Sequence, residues 1–302
     1  MKERIQKLLA RAGYGSRREI ERWITAGDIK INGKPAELGQ QISVQDKVIL
    51  RGKALNLQAR LRATPKVLAY HKKAGEMCTR QDPEGRPTVF DKLPRLSSGR
   101  WVMIGRLDVN TDGLLLFTTD GELANRMMHP SQEIEREYAS RILGEVNGEM
   151  LQRLTKGVEL DDGPARFLRI KDAGGEGANH WYHVVLAEGR NREVRRLWES
   201  QGVKISRLIR VRYGNITLPR YLRGGHSEEL DTKATRKLYE SVGLTFDDGS
   251  LSYDTEKNNT PASPHKERPA TNKRAGKKAN PYAKFSKKTT GKSTPSGNRR
   301  KR

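Results

Sequence analysis

The chain has 302 residues, enough for two domains, and its 59 Lys and Arg against 36 Asp and Glu give a formal net charge of +23. Its single cysteine, Cys78, excludes an internal disulfide and a zinc cluster built on cysteines. No apolar run reaches the roughly 18 residues that a membrane span needs, and the charged segment MKERIQKLLARAG lacks the apolar core of a secretory leader, so we expect a cytoplasmic protein with no membrane association.

The positive charge is concentrated at the two ends of the chain. Residues 251–302 hold 15 Lys and Arg against 3 Asp and Glu, and residues 1–60 hold 13 against 6. Solubility alone does not require so uneven a distribution. Because neutralising phosphates releases counterions and drives association, the charge indicates a polyanionic partner.

Residues 1–60 have the pattern of a small domain. Apolar residues at helical spacing over 5–12 predict one helix, and Ser16 with Glu19 forms a capping box that begins a second. Asn32-Gly33 predicts a tight hairpin between two short strands.

Two arginines, Arg17 and Arg18, fall in the first turn of the second predicted helix. The helix dipole disfavours cations there by a few tenths of a kcal/mol, about 0.3 or more. They are therefore either a solvated charged turn or contacts for a phosphate.

Residues 66–245 form the larger predicted unit, after a linker at 55–65. Strands outnumber helices there and do not alternate with them regularly, which predicts an α+β fold with a mixed or antiparallel sheet. The strand candidates are VLAYHKK, RWVMIGRL, GLLLFTT, EREYASRILGEV, FLRIKDA, WYHVVLAEG, LIRVRYGNITL and SEEL, and the helices span 121–129, 147–155 and 191–201. Residues 250–302 are basic and poor in large apolar residues, which predicts a disordered tail.

The segment IGRLDVNTDG places Asp108 where an apolar strand gives way to a turn. The spacing of Asp108, Asn110 and Asp112 is that of the first half of an EF-hand loop, but Thr119 stands where a bidentate glutamate is required, which argues against calcium. The turn residues make Asp112 structural. Asp108, with Arg106 on the same strand face, is either part of the turn or a carboxylate presented to a cleft.

Two further segments carry candidate contacts to nucleic acid. In the strand EREYASRIL, Tyr138 is either a packing residue or a ring that stacks on an unpaired base. The segment EGRNREVRRLWESQG places arginines at the beginning and on the outer faces of a helix, where they are solvated, hold phosphates or hold a carboxylate in a cleft. These arginines are Arg190, Arg192, Arg195 and Arg196.

The sequence has no motif for a metal or a nucleotide cofactor. His180 and His183 are three apart on a predicted strand and so point to opposite faces. Neither a phosphate-binding P-loop nor a strand-placed dinucleotide-binding glycine motif is present. We therefore expect no metal and no cofactor.

Three segments of the chain, taken together, resemble the motifs of pseudouridine synthases. They are Gly105-Arg106-Leu107-Asp108 with Thr111 and the following GLL, Arg136-Glu137-Tyr138, and the arginines of EGRNREVRR. The segment GYGSRREIERWITAGDIKING resembles an S4 RNA-binding domain, and this domain order is that of a bacterial ribosomal-RNA subgroup of the family. The resemblance covers residues 1–245. It implies an S4 domain at 1–60 and a catalytic domain at 66–245 that isomerises uridine in 23S rRNA or in a ribosome assembly precursor, as a monomer without a cofactor.

The resemblance also implies roles for individual residues. Asp108 is the reacting carboxylate, as nucleophile or base, Tyr138 stacks on the extruded uracil, and Arg195 is the cation that keeps Asp108 ionised. The remaining basic residues bind the RNA backbone: Arg106, Lys7, Arg11, Arg17, Arg18, Lys30, Arg190, Arg192 and Arg196.

Two alternatives remain open at this point. A non-catalytic RNA-binding or ribosome-assembly factor could use the same scaffold, but it would not need Asp108, Tyr138 and Arg195 together. A sister enzyme with the same catalytic residues could act on a different uridine of ribosomal RNA.

Overall fold

Three helices and two small sheets form the N-terminal part of the chain. The structure, a computed structural model, describes residues 2–176 and 179–248. The N-terminal elements are β1 (Glu3–Arg4), α1 (Ile5–Arg11), α2 (Arg17–Thr25), β2 (Ile29–Ile31), β3 (Lys34–Pro35), β4 (Gln41–Ile42), β5 (Val48–Leu50), β6 (Lys53–Ala54) and α3 (Leu57–Leu61). β1 pairs with β4, and the other strands follow the order β3-β2-β5-β6.

The local signals in this part act as the sequence predicts. Ser16 Oγ accepts a hydrogen bond from the Glu19 amide, and Glu19 Oε2 accepts one from the Ser16 amide, both at 3.1 Å, so the capping box begins α2. Asn32 and Gly33 both have positive φ, 49° and 88°, as the predicted hairpin turn requires.

The predicted linker at 55–65 is wrong in its first half. Asn56 caps α3, and the buried Leu57 joins the apolar core formed by α1, α2 and their strands. The apolar pattern in LNLQARL is only two turns long, too short to distinguish a packed helix from an extended connection. The structure therefore adds a helix to the N-terminal part.

The larger part of the chain is built on one mixed sheet. Its elements are β7 (Val67–Lys72), β8 (Val102–Ile104), β9 (Asp112–Thr118), α4 (Gly121–Met128), a 3₁₀ turn (Pro130–Gln132), β10 (Arg136–Leu143), α5 (Gly148–Lys156), β11 (Val158–Leu160), β12 (Gly163–Ala165), β13 (Arg169–Glu176), β14 (Asn179–Leu186), α6 (Glu193–Glu199), β15 (Lys204–Tyr213), β16 (Ile216–Thr217), β17 (Ser227–Glu229) and α7 (Thr232–Glu240). The strand order is β13-β14-β10-β15-β9-β7-β17, with β16 on β15 and β8 on β9. β15 and β9 are parallel and the other described pairs are antiparallel, which confirms the predicted mixed sheet.

Central strand β9 is buried on both faces. Leu114 and Leu116 pack in one cluster with α4 and α7, while Leu115 and Phe117 pack in another with Trp101 on the opposite face. Because both faces are covered, the strand is a continuous apolar run and does not alternate apolar and polar residues. This burial gives the loop before β9 a rigid support.

β11 and β12 form a short antiparallel hairpin that the sequence pattern does not predict. Each strand has three residues, and the acidic turn between them interrupts any apolar alternation. Asp162 lies in the turn of this hairpin.

Two further predictions concern the C-terminal tail and the membrane. The predicted tail, 250–302, lies outside the described residues. No helix within 2–176 and 179–248 has the length and apolar character to cross a membrane.

Candidate active site

One large cleft, with a volume of about 1160 Å³, lies between the β8–β9 loop, strands β10 and β15, and the segment that leads into α6. It brings together Asp108, Tyr138 and Arg195, which come from three separate parts of the sequence. Arg106, Arg190 and Arg192 also line it, whereas Arg196 and the basic residues of the N-terminal part do not.

Asp108 reaches the cleft from a loop. β8 ends at Ile104, and Gly105 has a φ of 73° that ends the extended backbone. The Thr111 amide donates to the Asp108 carbonyl at 3.0 Å and closes a tight turn. The prediction that Arg106 and Asp108 lie on the same face of a strand is therefore wrong, because both follow the end of β8. Asp108 is half-buried, and Arg106 is exposed at the rim.

The neighbouring Asp112 is structural, as predicted. Its Oδ1 accepts a hydrogen bond from the Ala74 amide at 2.6 Å, and its Oδ2 accepts one from Arg207 Nε at 3.3 Å. Asp112 thus joins the segment after β7 to the beginning of β9, and both of its carboxylate oxygens are engaged within the protein.

A buried lysine that sequence reasoning missed supports the Asp108 loop. Lys72 is fully buried, and its Nζ donates to the carbonyls of Lys73 at 2.9 Å, Val109 at 3.2 Å and Thr111 at 2.9 Å. Burial lowers the pKa of this ammonium group, and nearby acidic groups, Asp108 among them, oppose the shift. The sequence signal that could have revealed Lys72 is its position at the end of an otherwise largely apolar strand.

Arg195 holds the same loop from α6. Its Nη2 donates to the Asn110 carbonyl at 2.9 Å and its Nη1 to the Ile205 carbonyl at 3.4 Å. Burial lowers the pKa of the guanidinium, and the charge of Asp108 opposes that shift. No direct ion pair joins Arg195 to Asp108 in the part of the chain that the structure describes, so Arg195 acts on the loop backbone directly and on the carboxylate at longer range.

Tyr138 and a stack of two arginines border the cleft beside Asp108. Tyr138, 8% exposed, packs with the apolar core and also lines the cleft. The guanidinium carbons of Arg136 and Arg210 each lie 4.9 Å from the centre of the Tyr213 ring. Arg210 Nε donates to the Leu114 carbonyl at 2.7 Å, and sequence reasoning missed this residue. The stack gives this side of the cleft a rigid, cationic surface.

Two arginines predicted to bind RNA are engaged within the protein. Arg196 donates to both oxygens of the Asp162 carboxylate, at 2.7 and 2.8 Å. Arg190 donates to Asp162 Oδ1 at 3.2 Å and to the Gly163 carbonyl at 3.1 Å. The hydrogen bond from Arg196 is the main cause that lowers the pKa of Asp162. These arginines therefore fasten the β11–β12 hairpin to α6, and their contact with RNA stays a prediction.

The helix itself also differs from the prediction. α6 begins at Glu193, two residues after the predicted beginning, so an acidic residue occupies its first turn. Arg192 is the N-cap with a φ of 50°. Glu193 therefore complements the helix dipole, and the neighbouring arginines are not needed to bind an anion for that purpose.

The other predicted RNA contacts have exposed side chains: Arg106, Arg192, Lys7, Arg11, Arg17, Arg18 and Lys30. Three of them form surface ion pairs, Arg192 with Glu199 at 3.7 Å, Lys7 with Glu122 at 3.8 Å and Arg11 with Glu3 at 3.1 Å. An exposed ion pair is worth less than about 1 kcal/mol, so these side chains can exchange a carboxylate for a phosphate.

The cleft is lined by cations and lacks the character of a metal site. Seven arginines and five carboxylates supply its charged lining. The arginines are Arg106, Arg136, Arg166, Arg190, Arg192, Arg195 and Arg210, and the acids are Asp108, Glu133, Glu135, Glu188 and Glu193. Within the described residues, no group of three or more His, Cys, Asp or Glu side chains is arranged to hold a metal ion. Such a surface suits a polyanionic substrate.

Comparison with known proteins assigns this arrangement to a family. The model of the RNA pseudouridylate synthases matches residues 66–200, and the model of the S4 domain matches residues 3–48. A Yersinia pestis protein named ribosomal large subunit pseudouridine synthase B is 58% identical over 246 residues, which cover 81% of this chain and 77% of that protein. The chain belongs to the pseudouridine synthase family.

Further relatives agree with this assignment. Proteins of the same name from Haemophilus influenzae and Escherichia coli K12 are 59% and 58% identical, over 80% and 81% of this chain and 68% and 84% of their own lengths. A solved structure described as a pseudouridylate synthase superposes with a TM-score of 0.55 at 24% identity, covering 78% of this chain and 99% of that chain, and so shares the fold. The family, its isomerase activity and the two domain types predicted from the motifs are confirmed.

Proposed function

We propose that this pseudouridine synthase acts on a uridine of large-subunit ribosomal RNA, with Asp108 as the reacting carboxylate. The observation that carries the proposal is the convergence of Asp108, Tyr138 and Arg195 in one cleft from three separate segments. The relatives named above are, by their names, enzymes of the large ribosomal subunit, which supports this RNA as the substrate.

The reaction is an isomerisation whose atoms balance without a second substrate. The bond between the sugar C1′ and the uracil N1 breaks, the base rotates in place, and a bond from C1′ to the uracil C5 forms. The proton on C5 is lost and one is gained at N1. A carboxylate near C1′ serves either as a nucleophile or as the base that removes a sugar proton, and Asp108 takes this position.

The target base must leave its stack before it can reach Asp108, which costs a few kcal/mol, on the order of 2–4. The ring of Tyr138, held by the core, receives the extruded uracil by stacking. Arg106, exposed at the rim, contacts the backbone or occupies the vacated position in the stack. Binding contacts at the rim therefore offset the cost of extrusion.

Arg195 and Lys72 keep the reacting carboxylate in place. Both donate to backbone carbonyls of the turn that carries Asp108, and both bring positive charge close to it. The two residues thus fix the turn that presents Asp108 to the cleft.

Outside the cleft, the exposed basic residues of the S4 domain position the RNA with little reading of its bases. These residues are Lys7, Arg11, Arg17, Arg18 and Lys30. Arg192, exposed at the beginning of α6, adds a backbone contact at the cleft.

The first prediction concerns Asp108 itself. Pseudouridine is mapped in large-subunit rRNA fragments by carbodiimide modification and primer extension, with wild type, Asp108→Asn and Glu133→Gln compared. Glu133 is an exposed carboxylate that lines the same cleft, so it controls for loss of charge alone. We expect one modified uridine with wild type and Glu133→Gln, and RNA binding without modification with Asp108→Asn.

Other results would lead to different conclusions. Full turnover by Asp108→Asn would remove Asp108 from the chemistry. Tight binding by wild type with no modified uridine in either ribosomal RNA would favour the binding-factor alternative. A single modified uridine in small-subunit RNA would keep the chemistry and change the substrate.

A further inference from the structure

The S4 domain and the catalytic domain meet at a seam formed by Gly13, Tyr14, Arg60, Ser98 and Gly99. Gly13 lies so close to Gly99 that a Cβ on Gly13 would be 2.4 Å from the Gly99 Cα. Ser98 Oγ donates to the Arg60 carbonyl at 3.5 Å, and the Arg60 guanidinium lies 4.4 Å from the centre of the Tyr14 ring. The two domains are therefore in backbone contact at this seam.

Two arginines connect the seam to the rim of the cleft. Arg100 directly follows Gly99 of the seam, and Arg80 directly follows Thr79, which lines the cleft. The Arg80 guanidinium lies 4.2 Å from the centre of the Phe90 ring and donates to the Trp101 carbonyl. Arg80 is exposed as a residue, but its guanidinium is partly covered by the Phe90 ring, and Arg100 is half-buried. Their charges are thus held near each other, partly out of solvent.

Neither arginine is neutralised by a direct ion pair within the described residues. The Arg100 Nε is buried without a hydrogen-bond acceptor. Burial lowers the pKa of both guanidinium groups, and the charge of Arg100 lowers that of Arg80 further. The negative charge of Glu19 opposes this lowering of both pKa values. Its Oε2, however, already accepts hydrogen bonds from Ser16 in the capping box.

Arg86 shows the contrasting arrangement in the same segment of chain. It is paired with Asp82 at 2.9 Å and with Glu84 at 2.9 Å, so its charge is balanced locally. The segment can therefore supply a carboxylate to an arginine, and it does not supply one to Arg80 or Arg100. An anion from outside the chain would relieve the repulsion between these two.

We propose that Arg80 and Arg100 form a binding site for a phosphate of the RNA backbone, where the strand crosses from the S4 domain to the cleft. The site rests on the proposed function, since its ligand is the same RNA. A strand that contacts both domains must cross the seam, and guanidinium groups match phosphate geometry by paired N–H donors. The site reads no sequence and instead fixes the distance between the S4 contacts and the reacting uridine.

The test measures RNA affinity at a series of salt concentrations for wild type, Arg80→Gln, Arg100→Gln, the double variant and the control Arg86→Gln. Each phosphate contact contributes roughly 0.7–0.9 to the slope of log affinity against log salt concentration. We expect the double variant to lose about one unit of slope and about tenfold or more in affinity at low salt. Arg86→Gln should match wild type, and the single-turnover rate at saturating RNA should stay unchanged in all variants.

Further measurements separate this site from a structural role. Arg100→Lys keeps the charge and should recover most of the slope. A double variant with wild-type affinity and slope overturns the site. The site is also overturned if the double variant loses affinity with an unchanged slope and a lowered melting temperature, because that result would show that the substitutions disrupt the packing at the seam. If wild type makes no pseudouridine while the slopes still differ as expected, the proposed function fails and the phosphate site stands.

Discussion

At the scale of single residues, the Asp108 loop depends on one buried ammonium group. Lys72 Nζ satisfies three backbone carbonyls, two of them in the turn that carries Asp108. In Lys72→Met these carbonyls lose their donor, and an unsatisfied buried polar group costs about 1–3 kcal/mol. We expect the variant to lose about 2–4 kcal/mol of unfolding free energy in urea denaturation and most of its turnover.

Lys73→Met is the matched control, because Lys73 is the exposed neighbour of Lys72. It should stay within about 0.5 kcal/mol of wild type. A Lys72→Met variant with an unchanged urea midpoint would show that the loop keeps its shape without the ammonium group.

Residues differ in how far the sequence alone reveals them. Asp108, Tyr138 and Arg195 were found because they stand in motifs, and the structure places all three in one cleft. Lys72 and Arg210 were missed because a buried cation and an exposed one look the same in a sequence. Burial of a charge depends on carbonyl acceptors from distant strands, and no local pattern records them.

At the scale of elements, the β11–β12 hairpin is held to α6 by charge. Arg196 lowers the pKa of Asp162 below its ordinary value of 3.8, so the ionised carboxylate stabilises the folded state. That contribution is complete above the ordinary value and is lost as the pH falls through the lower value of the folded state. We expect wild type to melt at a higher temperature than Asp162→Asn at pH 7, with a difference that shrinks below about pH 4.

Asp161→Asn, an exposed neighbour in the same turn, should melt like wild type across this range. A difference between wild type and Asp162→Asn that stays constant down to pH 3 would mean that the carboxylate charge is not what holds the hairpin.

Elements with strong local signals were predictable, and those defined by partners were not. The capping box and the Asn32-Gly33 hairpin were read correctly because each is specified within a few residues. α3 and the β11–β12 hairpin were missed because they are short and are stabilised by the core and by α6. The strand order could not be read either, since most sheet pairings join segments far apart in the chain.

At the scale of the whole molecule, Gly13 lies where the two domains meet. Its φ is 79°, and any side chain there would collide with the Gly99 backbone. We expect Gly13→Ala to displace the S4 domain from the seam, so that KM for a long RNA substrate rises at least about tenfold while kcat changes little. Steady-state kinetics on an rRNA fragment measure this.

Gly27→Ala is the matched control for backbone strain. Gly27 also has a positive φ, 75°, but beyond its own chain neighbours no atom of the described residues lies within 4 Å of the position of its Cβ. Both variants bear the cost of a left-handed alanine, about 1 kcal/mol, and only Gly13→Ala disturbs the seam. Equal KM values for the two variants would show that the close approach of Gly13 and Gly99 does not set the domain arrangement.

The parallel pairing of β9 with β15 also determines when the enzyme can become active during its own synthesis. Asp112 and Gly113 pair with Ile209 and Arg210, and Arg195 reaches the same loop from α6. Contacts of such large sequence separation form late, whereas the contacts within residues 3–61 are local. A nascent chain can therefore fold its RNA-binding domain while residues beyond 200 are still inside the ribosome. Catalytic competence comes only after nearly the whole catalytic domain has been made.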